Sequence, residues 1–93
     1  MGSDGHTASI FPHEIELLKS DNTCEVAMHP ESGQKRITLT GKVINAANQI
    51  HFLVTGASKR PVLEEIFSKK GNWEKYPASH IEDATWWMDE AAS

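Results

Sequence analysis

Apolar residues in this chain fall into short, separated groups whose spacing changes along its length. From Thr23 to His29, Cys24, Val26 and Met28 alternate with polar neighbours, the two-residue period of a half-buried strand. Pro30-Glu31-Ser32-Gly33 follows as turn material, and Arg36 to Thr40 alternates again. Ile50 to Thr55 is the strongest strand. Its consecutive apolar residues Phe52, Leu53 and Val54 suit a parallel strand covered on both faces. The period then lengthens. Val62, Leu63, Ile66 and Phe67 form one apolar stripe on a helix predicted over Lys59 to Lys70. Ser58 is its N-cap, Pro61 suits its first turn, and Gly71 stops it. Ala84 to Met88 reads as a last strand, with Trp86 and Trp87 on opposite faces. Shorter helices are predicted at Glu14 to Lys19, where Ile15 and Leu18 share a face, and at Val43 to Asn48. Asn72 to His80 is a loop with a helical turn after Pro77, and Asp89 to Ser93 is a frayed end. Strands alternating with helices argue for an α/β class with right-handed crossovers.

Composition narrows the picture only at a few points. The 93 residues allow a single domain, 1–93, with a modest core. A net charge of −4 provides no basic field, so nucleic-acid binding is not expected. No apolar run approaches the roughly 20 residues that span a bilayer, so no membrane partner is expected either. Cys24 stands alone, which rules out an internal disulfide and suits a reducing cytoplasm. There is no internal repeat and no low-complexity segment.

The stretch with most chemical content is Asp4-Gly5-His6-Thr7-Ala8-Ser9-Ile10-Phe11-Pro12. Gly5 permits a turn that a side chain would forbid, and Thr7 and Ser9 can tie the loop down through local hydrogen bonds. His6 is the one side chain here able to exchange a proton near neutral pH. Asp4 could orient its imidazole, or simply cap backbone amides of the loop. Lys59 stands where the strand ending at Thr55-Gly56 gives way to a helix. Free amides and a positive dipole end favour an anion there. Arg36 precedes a strand, and a guanidinium pairs bidentately with phosphate; Lys35 beside it should face the other way. Alone, each of these is an ordinary loop or surface residue. His13 with Glu14 and Glu16 lacks helical metal-ligand spacing. His29, His51 and His80 are scattered, with His51 packing on the sheet, and Asn45 and Asn48 look like helix-face polars. No Gly-x-Ser-x-Gly elbow or Ser-His-Asp set points to a serine esterase.

The Asp4 to Pro12 stretch resembles the active-site signature of the 6-phosphogluconolactonases, relatives of the glucosamine-6-phosphate deaminases. The resemblance continues in order through Arg36-Ile37-Thr38-Leu39-Thr40, Phe52 to Lys59, Tyr76-Pro77-Ala78 and Thr85 to Ala92. Deaminases also carry a Gly-His pair but usually continue toward Ile-Ala-Phe, so Thr7 to Pro12 take the lactonase side. The family motif usually begins with Gly-x-Gly. This chain opens at Met1-Gly2, partway through it, and is similar to the C-terminal part of a lactonase.

The resemblance implies a Rossmann-like, mostly parallel sheet with flanking helices, present as a partial copy of the lactonase/deaminase fold. It implies hydrolysis of 6-phospho-D-glucono-1,5-lactone in the pentose phosphate pathway, without metal or cofactor. The matching histidine, His6, acts as general base on water, with Asp4 beside it. Arg36 and Lys59 hold the substrate phosphate, and amides around Gly2 and Gly5 are candidates to stabilise the oxyanion. A partial sheet should leave an apolar face uncovered. Weak or no activity is therefore expected from the chain alone, unless self-association or an N-terminal partner completes the site. The alternatives are a catalytically incomplete sugar-phosphate-binding fragment, or a deaminase-like isomerase.

Overall fold

In the computed structural model, which describes residues 1–93, two pairs of strands are joined by short helical segments. After the N-terminal loop, Pro12–Lys19 winds as a 3-10 helix, kinked at Glu14. Strands β1 (Cys24–Met28) and β2 (Lys35–Leu39) form an antiparallel hairpin, with Cys24 opposite Leu39 and Met28 opposite Lys35. A short helix, α1 (Gly41–Asn45), leads to β3 (Ile50–Val54). A 3-10 turn at Ala57–Lys59 feeds α2 (Arg60–Ser68). Two further 3-10 turns, Trp73–Lys75 and Pro77–His80, precede β4 (Ala84–Met88), which pairs in parallel with β3.

The period of each segment explains what it buries. On α2, Val62, Leu63 and Ile66 lie on one face and pack on Phe52 and Val54 of β3, with Ala78, Ile81 and Ala92 closing the cluster. Trp86 of β4 stacks on Phe52 at 4.1 Å between ring centroids and meets Phe67 edge-on at 5.4 Å. Its neighbour Trp87 faces the other way, donating its indole N–H to His51 Nδ1 at 2.9 Å. Gly41 enters α1 so close to the backbone of Leu18 that a side chain there would strike the Leu18 carbonyl. Thr40, fully buried, donates its hydroxyl to the Asn22 carbonyl at 2.6 Å and fastens the end of β2.

Several local expectations change. Ser58 does not cap α2. The chain enters through a 3-10 turn, with Lys59 N–H donating to the Gly56 carbonyl at 3.2 Å, and the residue at the cap is Lys59. The helix ends at Ser68 because Lys69 takes a left-handed conformation, φ 54°, before Gly71 is reached. Asn72 to His80 holds two 3-10 turns, and α1 starts two residues earlier than Val43. Asn45 does more than decorate a helix: its side-chain carbonyl accepts the Glu82 N–H at 2.9 Å.

Leu53, expected to be covered on its own face of β3, is 76% exposed. Nothing in this chain packs on that side of the β3–β4 pair. The hairpin behaves alike: Ile37 is 80% exposed, and Val26 and Leu39 share its open face. Each strand pair therefore buries one side only.

These two environments should separate sharply on truncation. Leu63→Ala is expected to lower unfolding stability by about 2–5 kcal/mol, the cost of emptying a packed site. Leu53→Ala should change it by about 0.5 kcal/mol or less. Urea midpoints of the two variants check this, and equal losses would contradict the one-sided packing.

Candidate active site

The N-terminal loop is closed by its own backbone. Gly2 N–H donates to the His6 carbonyl at 2.9 Å, and Gly5 N–H donates to the Gly2 carbonyl at 3.0 Å. Gly5 sits at φ 81°, a region that favours glycine. A Cβ on it would also lie 2.6 Å from Tyr76. Gly2 is constrained from the other side, since a side chain there would run into the His6 ring. The two glycines thus set the loop's shape. Both of their N–H groups are engaged inside the loop, whereas Ser3 N–H has no acceptor in the chain.

This closure presents His6 to a carboxylate. Asp4 Oδ1 accepts both the backbone N–H of His6, at 3.1 Å, and its ring Nδ1, at 2.6 Å. Nδ1 therefore carries the proton in the neutral ring, and the lone pair stands on Nε2. Burial works to raise the Asp4 pKa. The backbone and ring hydrogen bonds from His6, with the ring's charge, outweigh it and leave the carboxyl below its usual value. Both readings of Asp4 are thus realised in one atom, which caps an amide and orients the imidazole.

Beyond His6 the chain turns inward. Ile10 and Phe11 are buried, and the Phe11 ring lies 4.5 Å from that of His6. The ties to the rest of the molecule run through the loop's backbone, the Gly5 carbonyl accepting the Ala78 N–H at 3.0 Å. Ser9 donates its backbone N–H to the Thr38 hydroxyl of β2 at 3.0 Å, while the Thr7 carbonyl accepts the Ile10 N–H at 2.9 Å in a local bridge. Thr38 and Arg36 are two residues apart on β2, so both lie on the hairpin face turned to this loop. Arg36 Nε donates to Gln34 Oε1 at 3.1 Å.

Lys59 stands at the end of β3, its ammonium donating to the Thr55 carbonyl at 3.0 Å. It is near the other end of the loop: burial first, then the Lys59 charge, lowers the pKa of the Met1 amine. The amide of Gly56 in this turn is taken by both carboxylate oxygens of Asp89, at 3.1 and 3.2 Å. The N–H groups of Ala57 and Ser58 remain without acceptors.

His6 opens on a cavity of about 230 Å³ lined by Ser3, Asp4, His6, Phe11, His29, Pro30 and Glu31. Asp4 and His6 are brought together there, whereas Arg36 and Lys59 do not line it. His29, set aside as scattered, does. Its place follows from the turn after β1, which folds back so that His29 N–H donates to the Gln34 carbonyl at 2.9 Å. The Pro30 to Gly33 turn signal was the clue available in the sequence.

A short loop with an Asp–His pair, set against a hairpin and a βαβ crossover, defines a class, and comparison supplies its name. The profile of the family "Glucosamine-6-phosphate isomerases/6-phosphogluconolactonase" matches residues 1–88, and the chain belongs to that family. Among relatives, the 6-phosphogluconolactonase of Treponema pallidum is 54% identical over 68 residues, covering 73% of this chain and 28% of the relative. That of Haemophilus influenzae is 45% identical over 96 residues, covering 99% and 41%. A solved structure of a devB protein superposes with a TM-score of 0.88 at 41% identity, over 98% of this chain and 40% of that one. The 6-phosphogluconolactonase from Trypanosoma brucei gives 0.76 at 27%, over 99% and 38%. The chain is thus an α/β, Rossmann-like unit that spans about two fifths or less of the length of these relatives.

The Asp4 carboxyl makes stability depend on pH in a defined direction. Its pKa is lower folded than unfolded, so its contribution is present above the unfolded value and disappears as pH falls through the folded one. Asp4→Asn is expected to be less stable than the parent at pH 7 and to lose less on acidification. Urea titrations at pH 7 and pH 3 test this; parallel losses in both proteins would refute it.

Proposed function

We propose that this chain carries the catalytic half of a 6-phosphogluconolactonase site, which hydrolyses 6-phospho-D-glucono-1,5-lactone to 6-phosphogluconate in the cytoplasm. The observation that carries the reading is the Asp4–His6 pair at 2.6 Å beside a cavity. With Nδ1 held by Asp4, Nε2 takes a proton from water as the water attacks the lactone carbonyl. The carbonyl becomes a tetrahedral oxyanion, and collapse expels the ring oxygen, which recovers a proton to give the open acid. Arg36 and Lys59 anchor the phosphate, holding the ring over His6. Ser3 lines the cavity and its N–H has no acceptor in the chain, which makes it a candidate donor to the oxyanion. No step requires a metal or cofactor. The lactonase names of the relatives support this reading over a deaminase-like isomerase.

A second reading has its own support. The chain spans 41% of the Haemophilus relative and leaves Leu53 and Ile37 open, so the isolated chain fits a sugar-phosphate-binding unit with little turnover. The remaining portion of such a protein, or a second copy, would cover those faces and complete the phosphate pocket. Lactone hydrolysis by the purified chain decides between the two, followed at a pH low enough to suppress spontaneous opening. We expect turnover far below that of a full-length relative, with His6→Ala lowering what remains by about 100-fold or more. A His6→Ala protein as active as its parent would remove the proposed base. Turnover matching a full-length relative would remove the second reading.

A further inference from the structure

His29 is held as firmly as His6 but in the opposite sense. Its backbone N–H and C=O close the hairpin turn, with Gln34 at 2.9 Å and Gly33 at 3.0 Å. Its ring Nδ1 accepts two backbone N–H groups, from Glu31 and Ser32, each at 3.2 Å. An imidazole nitrogen that accepts cannot carry the proton, so the neutral ring bears its hydrogen on Nε2. That Nε2–H makes no hydrogen bond within the chain, and the ring lines the cavity beside His6. The ring packs against that of Phe11, 5.2 Å between centroids with the planes at 73°. Every polar atom of this residue except one has a partner, and the exception belongs to a ring that lines the same cavity as His6.

The neighbouring charges say which part of a ligand belongs here. Asp4 and Glu31 both line the cavity, while no lysine or arginine does. Two carboxylates disfavour a phosphate and suit hydroxyl groups, which can donate to them. We infer that His29 is a substrate-positioning residue whose Nε2–H donates a hydrogen bond to an oxygen of the sugar ring, with Glu31 accepting from a ring hydroxyl. This rests on the lactonase reading and orients the substrate within it: ring toward His29 and Glu31, phosphate directed away toward Arg36 and Lys59.

The test uses the whole chain and two probes, 6-phosphogluconate and inorganic phosphate, titrated into ¹⁵N-labelled protein by NMR. In the unliganded chain, long-range ¹⁵N–¹H spectra should show the His29 proton on Nε2; a proton on Nδ1 at neutral pH would overturn the inference outright. His29→Phe keeps the contact with Phe11 but has no donor. It should bind 6-phosphogluconate about tenfold more weakly than the parent, the factor lost with one hydrogen bond, while its phosphate affinity stays unchanged. His29→Gln, which can place an amide N–H near the same position, should recover most of that loss. Equal sugar-phosphate affinity in parent and His29→Phe would overturn the His29 assignment and leave the lactonase reading standing. No binding of 6-phosphogluconate to the parent chain would overturn both.

Discussion

The ring of Phe11, 1% exposed, lies between two imidazoles, and both depend on where it sits. His6 packs on it at 4.5 Å and His29 meets it at 5.2 Å, with the two ring planes 73° apart. Burying such a ring releases apolar surface from water. That gain fixes the distance between a loop near the start of the chain and a turn more than twenty residues later. The Ser9 to Thr38 hydrogen bond holds the same junction from one side. If Phe11 moved, the cavity would lose part of its lining and the two histidines their common neighbour.

Around that ring the molecule builds an asymmetric pair from identical side chains. A carboxylate at Nδ1 gives His6 a lone pair at Nε2, and two amides at Nδ1 give His29 a proton there. The partner on the far nitrogen decides, and in each case that partner lies within three residues in sequence. Chemical roles are thereby assigned by local turns and brought together by tertiary packing.

Much of this was legible beforehand, and the gaps have physical causes. The positions of all four strands, the apolar stripe of α2, the opposite facing of Trp86 and Trp87 and the Asp4–His6 relation follow from spacing within a few residues. Strand direction does not: alternation in Cys24 to Met28 and Lys35 to Leu39 is the same whether the partners run parallel or, as here, antiparallel. The helix stop was misplaced because Lys69 adopts a left-handed backbone that favours glycine, and its ammonium lies over the Trp73 ring at 5.9 Å. Leu53 departs from the expectation of a covered face because its apolar character describes the surroundings it suits, not those this chain provides. The place of His29 depends on a hairpin register that periodicity cannot supply. The fold family, by contrast, was readable from five short blocks in order.

The loop that carries His6 is closed by hydrogen bonds reaching no more than four residues along the chain. Little conformational freedom is surrendered in closing so small a ring. The hairpin joins it through a contact spanning 29 residues, a far larger loop to close. The two halves of the cavity therefore differ in the order in which they can assemble. The Asp4–His6 dyad can form in a chain that is otherwise loosely organised, and His29 arrives only once the hairpin has docked. The orientation of His6 is thus set by contacts available early, and that of His29 by contacts that close late.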